Sequence, residues 1–297
     1  MTSKTDFDTL QRFIFDSCDI RGEIVTLSDS FTSSVSHQNL SPAHSALIGE
    51  FFAATVMLGD SLKFDGILTV QARGDGIVPL VMAEANNKHE FRGILKRAND
   101  NSPETDGTYS LPDMLGNAVL SLTMDPTKGK RYQGIVPLEK DNLALCLNDY
   151  FSQSEQLPTH FIIYADDGRC GGLFLQALPR NKILDDDASR DAWDTAVQLA
   201  STLKAEELFS LDHKEVLYRL FHQLECNIFP EQKISYKCSC NFDRSGNAIA
   251  SLGKAEAFEL LEERGHIDIN CEFCGKQYIF NLQALEKIFG GENSPPH

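Results

Sequence analysis

The chain has 297 residues, 42% of them apolar and 24% charged, and a formal net charge of −16. That length buries more than one core, and the composition is that of an ordinary folded protein with no low-complexity block. The acidic excess argues against nucleic acid as a partner, because the phosphate-neutralising term that dominates such affinity is missing.

In chain order, residues 1–180 read as mixed α and antiparallel β. Leu10, Phe13 and Ile14 suggest a short helix ahead of a strand at Ile24–Leu27. Ser41-Pro42 is a cap followed by proline at the first helical position, and Leu47, Phe51, Ala54 and Leu58 then repeat at helical spacing to about Leu62. Two strands follow, Gly66–Gln71 and Ile77–Ala83, joined by a turn at Arg73-Gly74-Asp75-Gly76. A second hairpin pairs Ala118–Met124 with Arg131–Leu138. A helix from about Asn142 to Gln153 and strands near Phe161 and Leu173 complete this part.

Pro179 and the run Asp185-Asp186-Asp187 mark a composition shift, and residues 181–237 read as a helical connector. Trp193, Ala196, Val197, Ala200 and Leu203 share one helical face; Leu217, Leu220, Phe221 and Leu224 share another. The aspartates suit the positive end of the first helix. Asp212 with Glu215 resembles a capping box at the start of the second. Short helices are marginal alone, so these apolar stripes need a surface to dock on.

The expected class is therefore α+β: an antiparallel-sheet-plus-helix domain, a helical connector, and a small C-terminal four-cysteine zinc domain over residues 238–297. No apolar run is long enough to span a bilayer, and no leader precedes the chain, so a cytoplasmic location without membrane association is expected. Neither a G-K-[ST] phosphate loop nor a G-x-S-x-G elbow is present, and nothing else marks the chain as an enzyme.

Eight cysteines in such a chain are not a disulfide framework. Cys18, Cys146, Cys170 and Cys226 are scattered among apolar neighbours and read as small buried hydrophobes. The other four form two close pairs, Cys238-Ser239-Cys240 and Cys271-Glu272-Phe273-Cys274-Gly275. Four thiolates in two close pairs are what one tetrahedral zinc ion requires, and the trailing glycine suits the turn of a zinc knuckle. Residues two apart on a strand face opposite ways, so Cys238 and Cys240 share a metal only if the backbone turns between them. His222 and His266 are not needed once four cysteines are available. Four protein ligands leave no open position for a metal-bound water, which disfavours catalysis by the zinc. Two uses of the site stay open: a purely structural zinc that folds a small domain, or a redox switch whose thiolates are attacked by peroxide or hypochlorite.

The C-x-C plus C-x-x-C cluster resembles the redox-regulated holdase chaperones, the heat shock protein 33 family of bacteria. Arg21-Gly22-Glu23, Leu62-Lys63-Phe64-Asp65-Gly66, Arg73-Gly74-Asp75-Gly76, Arg131-Tyr132-Gln133-Gly134, Asp149-Tyr150-Phe151 and Ser154-Glu155-Gln156-Leu157-Pro158 carry the same likeness. So do Glu206-Glu207-Leu208 and Tyr218-Arg219-Leu220-Phe221-His222 in the connector. The resemblance implies a chaperone that is inactive when reduced and zinc-bound. Oxidation would pair Cys238 with Cys240 and Cys271 with Cys274, release zinc, unfold the small domain and disorder the connector. The apolar surface so exposed, including Trp193, Val197, Leu203, Leu217, Leu220 and Phe221, would hold unfolding client proteins without ATP. The resemblance further implies an active homodimer and hand-off of clients to ATP-dependent foldase chaperones. Cys146 is no part of the implied switch. Two other classes compete: a thiol–disulfide oxidoreductase using the C-x-x-C pair, and a constitutive zinc-ribbon adaptor.

Overall fold

The computed structural model describes residues 7–15, 18–61, 65–99, 110–155, 157–166, 168–179 and 186–290. Strands β1 (Thr9–Phe15) and β2 (Ile20–Leu27) lead to helices α1 (Asp29–Val35) and α2 (Pro42–Ser61). Strands β3 (Gly66–Arg73), β4 (Leu80–Asn86) and β5 (Glu90–Lys96) follow, then α3 (Leu111–Leu115), β6 (Val119–Pro126), β7 (Tyr132–Pro137), α4 (Leu143–Tyr150), β8 (Thr159–Ala165) and β9 (Cys170–Ala177). A wide-turn segment, Phe151–Glu155, extends α4. Helices α5 (Asp186–Ala200), α6 (Ala205–Leu208) and α7 (His213–Phe221) precede three short strands, β10 (Cys226–Ile228), β11 (Gln232–Lys233) and β12 (Ser235–Tyr236). The last stretch holds α8 (Phe242–Leu252), α9 (Lys254–Arg264), β13 (Ile267–Asn270), β14 (Gln277–Phe280) and α10 (Leu282–Gly290). The chain divides into two compact units, Met1–Lys237 and Cys238–His297.

In the first unit two sheets, antiparallel but for the β12–β5 pair, enclose α2. One sheet runs β10-β1-β2-β9-β8 with β11 also on β1; the other runs β12-β5-β4-β3-β6-β7. The helix is apolar almost all round, which is why it lies between layers instead of on a surface. Leu47, Ile48, Phe51, Phe52, Ala53, Ala54 and Met57 are all fully enclosed. It begins at Pro42 as expected and is described to Ser61, so the expected last residue, Leu62, lies outside the described residues, as do Asp185 and Gln156.

The helix expected at Leu10, Phe13 and Ile14 is instead strand β1. The reason is two-sided burial. Leu10 faces the core around α2, whereas Phe13 and Phe15 face a second apolar cluster under the connector, so period-two alternation is lost from the sequence. Gly22 lies opposite Phe13, and a Cβ there would come within 2.1 Å of its ring, so Arg21-Gly22-Glu23 serves packing. Glu23 itself is fully enclosed; burial, reinforced by Asp60, pushes its carboxyl well above the usual range. Both expected hairpins form. In the first, Asp75 accepts Asn117 N at 2.7 Å, and Gly76 N donates to Leu115 O at 2.9 Å.

The connector packs on the outer face of the first sheet. Helices α5 and α7 contribute Ala196, Ala200, Val216, Leu217, Leu220 and Phe221 to the cluster with Phe13, Phe15, Ile20 and Leu175. Phe221 packs edge-to-face on Phe15 and tilted against Phe13, with ring centroids 5.0 and 5.7 Å apart. The Asp212 carboxylate accepts Glu215 N at 2.9 Å and caps α7. After α7 the chain returns to both sheets: β10 pairs antiparallel with Phe13–Phe15, and β12 runs parallel to β5.

Candidate metal centre

The second unit is small, with seven buried apolar residues around Ile249, Phe280 and Leu285. Its functional groups are the four cysteines, whose Sγ atoms all lie within 4.8 Å of one another. Among the described residues no other His, Cys, Asp or Glu group gathers so closely, and neither His222 nor His266 joins it.

Local chemistry bends both cysteine pairs inward. The Cys238-Ser239-Cys240 segment is irregular, as its spacing requires, and is held by Arg244, whose Nη1 donates to Ser239 O at 3.2 Å and to Ser239 Oγ at 2.6 Å. Arg244 stands there because Asn241 caps α8, accepting Arg244 N at 2.8 Å. The second pair sits in the tight turn between β13 and β14. Cys271 O accepts Gly275 N at 2.8 Å, and Gly275 takes φ +69°, the left-handed conformation that favours glycine.

Two sulfur contacts run across the motifs, Cys238 to Cys271 at 3.6 Å and Cys240 to Cys274 at 3.4 Å. A tetrahedron with metal–sulfur bonds of about 2.3 Å has edges of about 3.8 Å, so the four sulfurs fit a zinc ion. All four are half-buried. The Tyr278 hydroxyl donates to Cys240 Sγ at 3.1 Å. Burial alone would raise the Cys240 thiol; the Tyr278 hydrogen bond and those of the other thiols outweigh it and bring Cys240 down to about 7. Burial and the neighbouring sulfurs push Cys274 up to about 12. The site thus starts with one thiol readily ionised, which is the ordinary first step of metal capture and of oxidation alike.

Neither Arg244 nor Tyr278 stands out in the sequence. An arginine four residues past Cys240 and a tyrosine four past Cys274 are ordinary surface-helix and strand residues until the fold brings them to the sulfurs.

The sequence profile of a family described as "Hsp33 protein" matches residues 8–281. The 33 kDa chaperonin of Pseudomonas fluorescens (strain SBW25) is 41% identical over 98% of this chain and 96% of its own length. The chain belongs to the Hsp33 family. Another Hsp33 relative, the 33 kDa chaperonin of Pseudomonas syringae pv. tomato, is 44% identical over 98% of this chain and 97% of its own. The crystal structure of the Hsp33 homologue from Thermotoga maritima superposes with a TM-score of 0.81, covering 95% of this chain and 97% of that one at 23% identity, and so shares the fold.

Of the apolar connector residues expected to meet clients, this Hsp33 chain buries Leu203, Leu217, Leu220 and Phe221, and half-buries Trp193 against the same cluster. Val197 is half-buried and lies outside the cluster. Of the other cysteines, Cys18, Cys146 and Cys170 are buried as expected, whereas Cys226 is only half-buried. Among the described residues no helix is long and apolar enough to cross a membrane.

Proposed function

We propose that this Hsp33 chain is a redox-regulated, ATP-independent holdase, not an enzyme, that captures unfolding proteins in the cytoplasm under oxidative stress. The observation that carries this reading is the tetrad of half-buried sulfurs in a unit with almost no core of its own. Cys238, Cys240, Cys271 and Cys274 would hold one zinc ion. When bound, zinc supplies binding free energy of about 10–16 kcal/mol that is also folding free energy, and keeps the sulfurs as thiolates. Two equivalents of peroxide, with four protons from solvent, would take four electrons from the four thiolates and leave two disulfides and four waters. The pairs are proposed to close within each motif, Cys238–Cys240 and Cys271–Cys274, which removes the ligand set and with it the fold of the unit.

Domain boundaries at about residues 180 and 237 follow from the same reading, with the 181–237 connector as the element that loosens. Undocking would expose Trp193, Leu203, Leu217, Leu220 and Phe221 to clients, with Val197 beside them, and the oxidised form would act as a homodimer that passes clients to ATP-dependent foldases. An order-to-disorder change of this kind is an established mode of switching. Against the oxidoreductase alternative stands the position of Cys271, which follows a strand and opens no helix.

The test is light scattering from a thermally unfolding client with the chain added reduced or peroxide-treated. Suppression of aggregation by the oxidised form only, reversed by reductant, is expected. Equal suppression by both forms removes the switch, and no suppression by either returns the site to a structural zinc.

A further inference from the structure

The first sheet ends on β8, which pairs with β9 and with no other strand among the described residues. Two bonds set the phase of this ladder: Ala177 N donates to Pro158 O at 2.9 Å, and Asp166 N to Arg169 O at 2.8 Å. With Phe161 opposite Phe174, the even-numbered residues of β8 bond to β9, so Phe161, Ile163 and Ala165 turn their peptide groups to the open edge. Phe161 shows that direction itself, its N–H donating to Asn148 Oδ1 of α4 at 2.8 Å. No other strand or side chain takes up the peptide groups of Ile163 among the described residues.

Beside Ile163 lies a cavity of about 440 Å³, a volume in the range of ligand pockets. Helix α4 supplies Leu145 and Asn148 to its lining, α2 supplies Glu50, β8 supplies His160, and the turn after α5 supplies Ser201. The two faces of β8 differ. Phe161, Ile163 and Ala165 pack on the core around α2, whereas Ile162 and Tyr164 pack on the cluster under the connector. A strand laid antiparallel along this edge turns the side chain opposite Ile163 to the α2 side, where the half-buried Glu50 stands. Its two neighbours fall on the connector side, along Ile162 and Tyr164. The edge therefore suits a basic residue between two apolar ones, and the net charge of −16 favours the same sign.

We infer that β8 takes up an extended segment of an unfolding client, apolar–basic–apolar in pattern, as an added antiparallel strand. The residue opposite Ile163 exchanges two hydrogen bonds with it, and its basic side chain meets the Glu50 carboxylate. Asn148 occupies the N–H of Phe161 and so ends the ladder there. An addition this short is weak alone, with a Kd of about 0.1–1 mM, and gains strength when the same client is held elsewhere on the chain. The inference rests on the holdase reading, for which it names a mode of client binding. The edge itself belongs to the first unit and needs no oxidation to form.

Amide NMR shifts of the full chain, reduced and zinc-loaded, titrated with the peptide acetyl-TVKVT-amide, test it. The Ile163 and Ala165 amides are expected to shift and to saturate with a Kd of about 0.1–1 mM. Methylating the backbone nitrogen of the peptide's lysine, or putting glutamate in its place, should each weaken binding at least about tenfold. Glu50→Gln should bring the lysine and glutamate peptides within about threefold of each other. In the light-scattering assay, excess lysine peptide should compete with the client for the oxidised chain, and the N-methylated peptide should not. Unmoved Ile163 and Ala165 amides at about 5 mM peptide overturn the inference. So do equal binding of the N-methylated peptide, a lysine preference that survives Glu50→Gln, or a peptide that binds without competing. Client aggregation left unsuppressed by the oxidised chain, with the peptide preferences intact, would sink the holdase reading and leave β8 as a strand-binding edge.

Discussion

The two units hold together on different physical grounds. The first has one core around α2 and a second under the connector, and its largest enclosed side chains include Phe13, Phe15, Phe31, Phe51, Phe52, Phe91, Phe174 and Phe221. The second has seven buried apolar residues among its described residues, only Tyr278 and Phe280 of them aromatic. At about 1.5–3 kcal/mol per enclosed large side chain, those residues do not offset the ordering of some fifty others. On the proposed reading one unit stands on burial and the other on a metal held by its sulfurs, so a single chemical event would dismantle one and spare the other.

The largest effect that tests this contrast is removal of metal. Chelation, or Cys271→Ser, should unfold residues 238–290 while the sheets around α2 keep their amide protection, as hydrogen exchange resolved by mass spectrometry would read. Joint protection of both units after chelation would mean that the second has a core the structure does not display. Next is Phe221→Ala in the connector layer. Truncating a fully enclosed ring should cost about 3–5 kcal/mol of the docked connector. The loss should appear as faster exchange in α5 and α7 with little change in α2.

Acidification ranks third. His213 is buried beside Thr26, its Nε2 3.0 Å from the hydroxyl, and burial lowers it from 6.5 to about 4, against a smaller opposing pull from Asp212. Above pH 6.5 the ring is neutral whether or not α7 is docked. Below that, the undocked ring takes a proton that the docked ring refuses, so docking weakens as pH falls from about 6.5 to about 4 and then levels off. The total is about 3 kcal/mol. His213→Gln should flatten the pH dependence of connector exchange, and an unchanged slope would show that other groups set it. The smallest effect concerns the metal centre: Tyr278→Phe removes the hydroxyl that donates to Cys240 and should weaken zinc affinity by about tenfold in a chelator competition.

Legibility from sequence follows the same divide. The four-cysteine cluster is legible because thiol chemistry is written in residue identity and spacing. The long core helix is legible because Pro42 and the repeat from Leu47 to Leu58 mark it. Strand β1 is misread, since a strand covered on both faces offers Leu10, Phe13 and Ile14 at a spacing that a helix shares. Strand β5 lacks a clear alternation: Gly93, Ile94 and Leu95 are all buried. Short strands β10 and β12 carry no local signal at all, because only the sheets they join define them. Tyr278 escapes notice because its partner, Cys240, is distant in sequence; Arg244 is close to Ser239 in sequence, but only the cap of α8 turns its side chain onto that residue.

Those short strands have a further consequence. The connector leaves the first sheet after β9 and is fastened again at β10, so from Leu178 to Glu225 it is a closed loop of roughly 48 residues, not a tail. When such a loop melts, its ends stay a fixed distance apart, and the entropy it gains falls short of a free chain's by a term that grows only with the logarithm of its length. A loop of this kind also has topology. If clients are held as proposed, a chain that threaded under it would be encircled and would leave by sliding or when β10 peeled from β1; an unfolded tail would let it go sideways at any time. How long a client is held would then depend on three hydrogen-bonded residues at the sheet's edge as much as on the apolar side chains that first attract it.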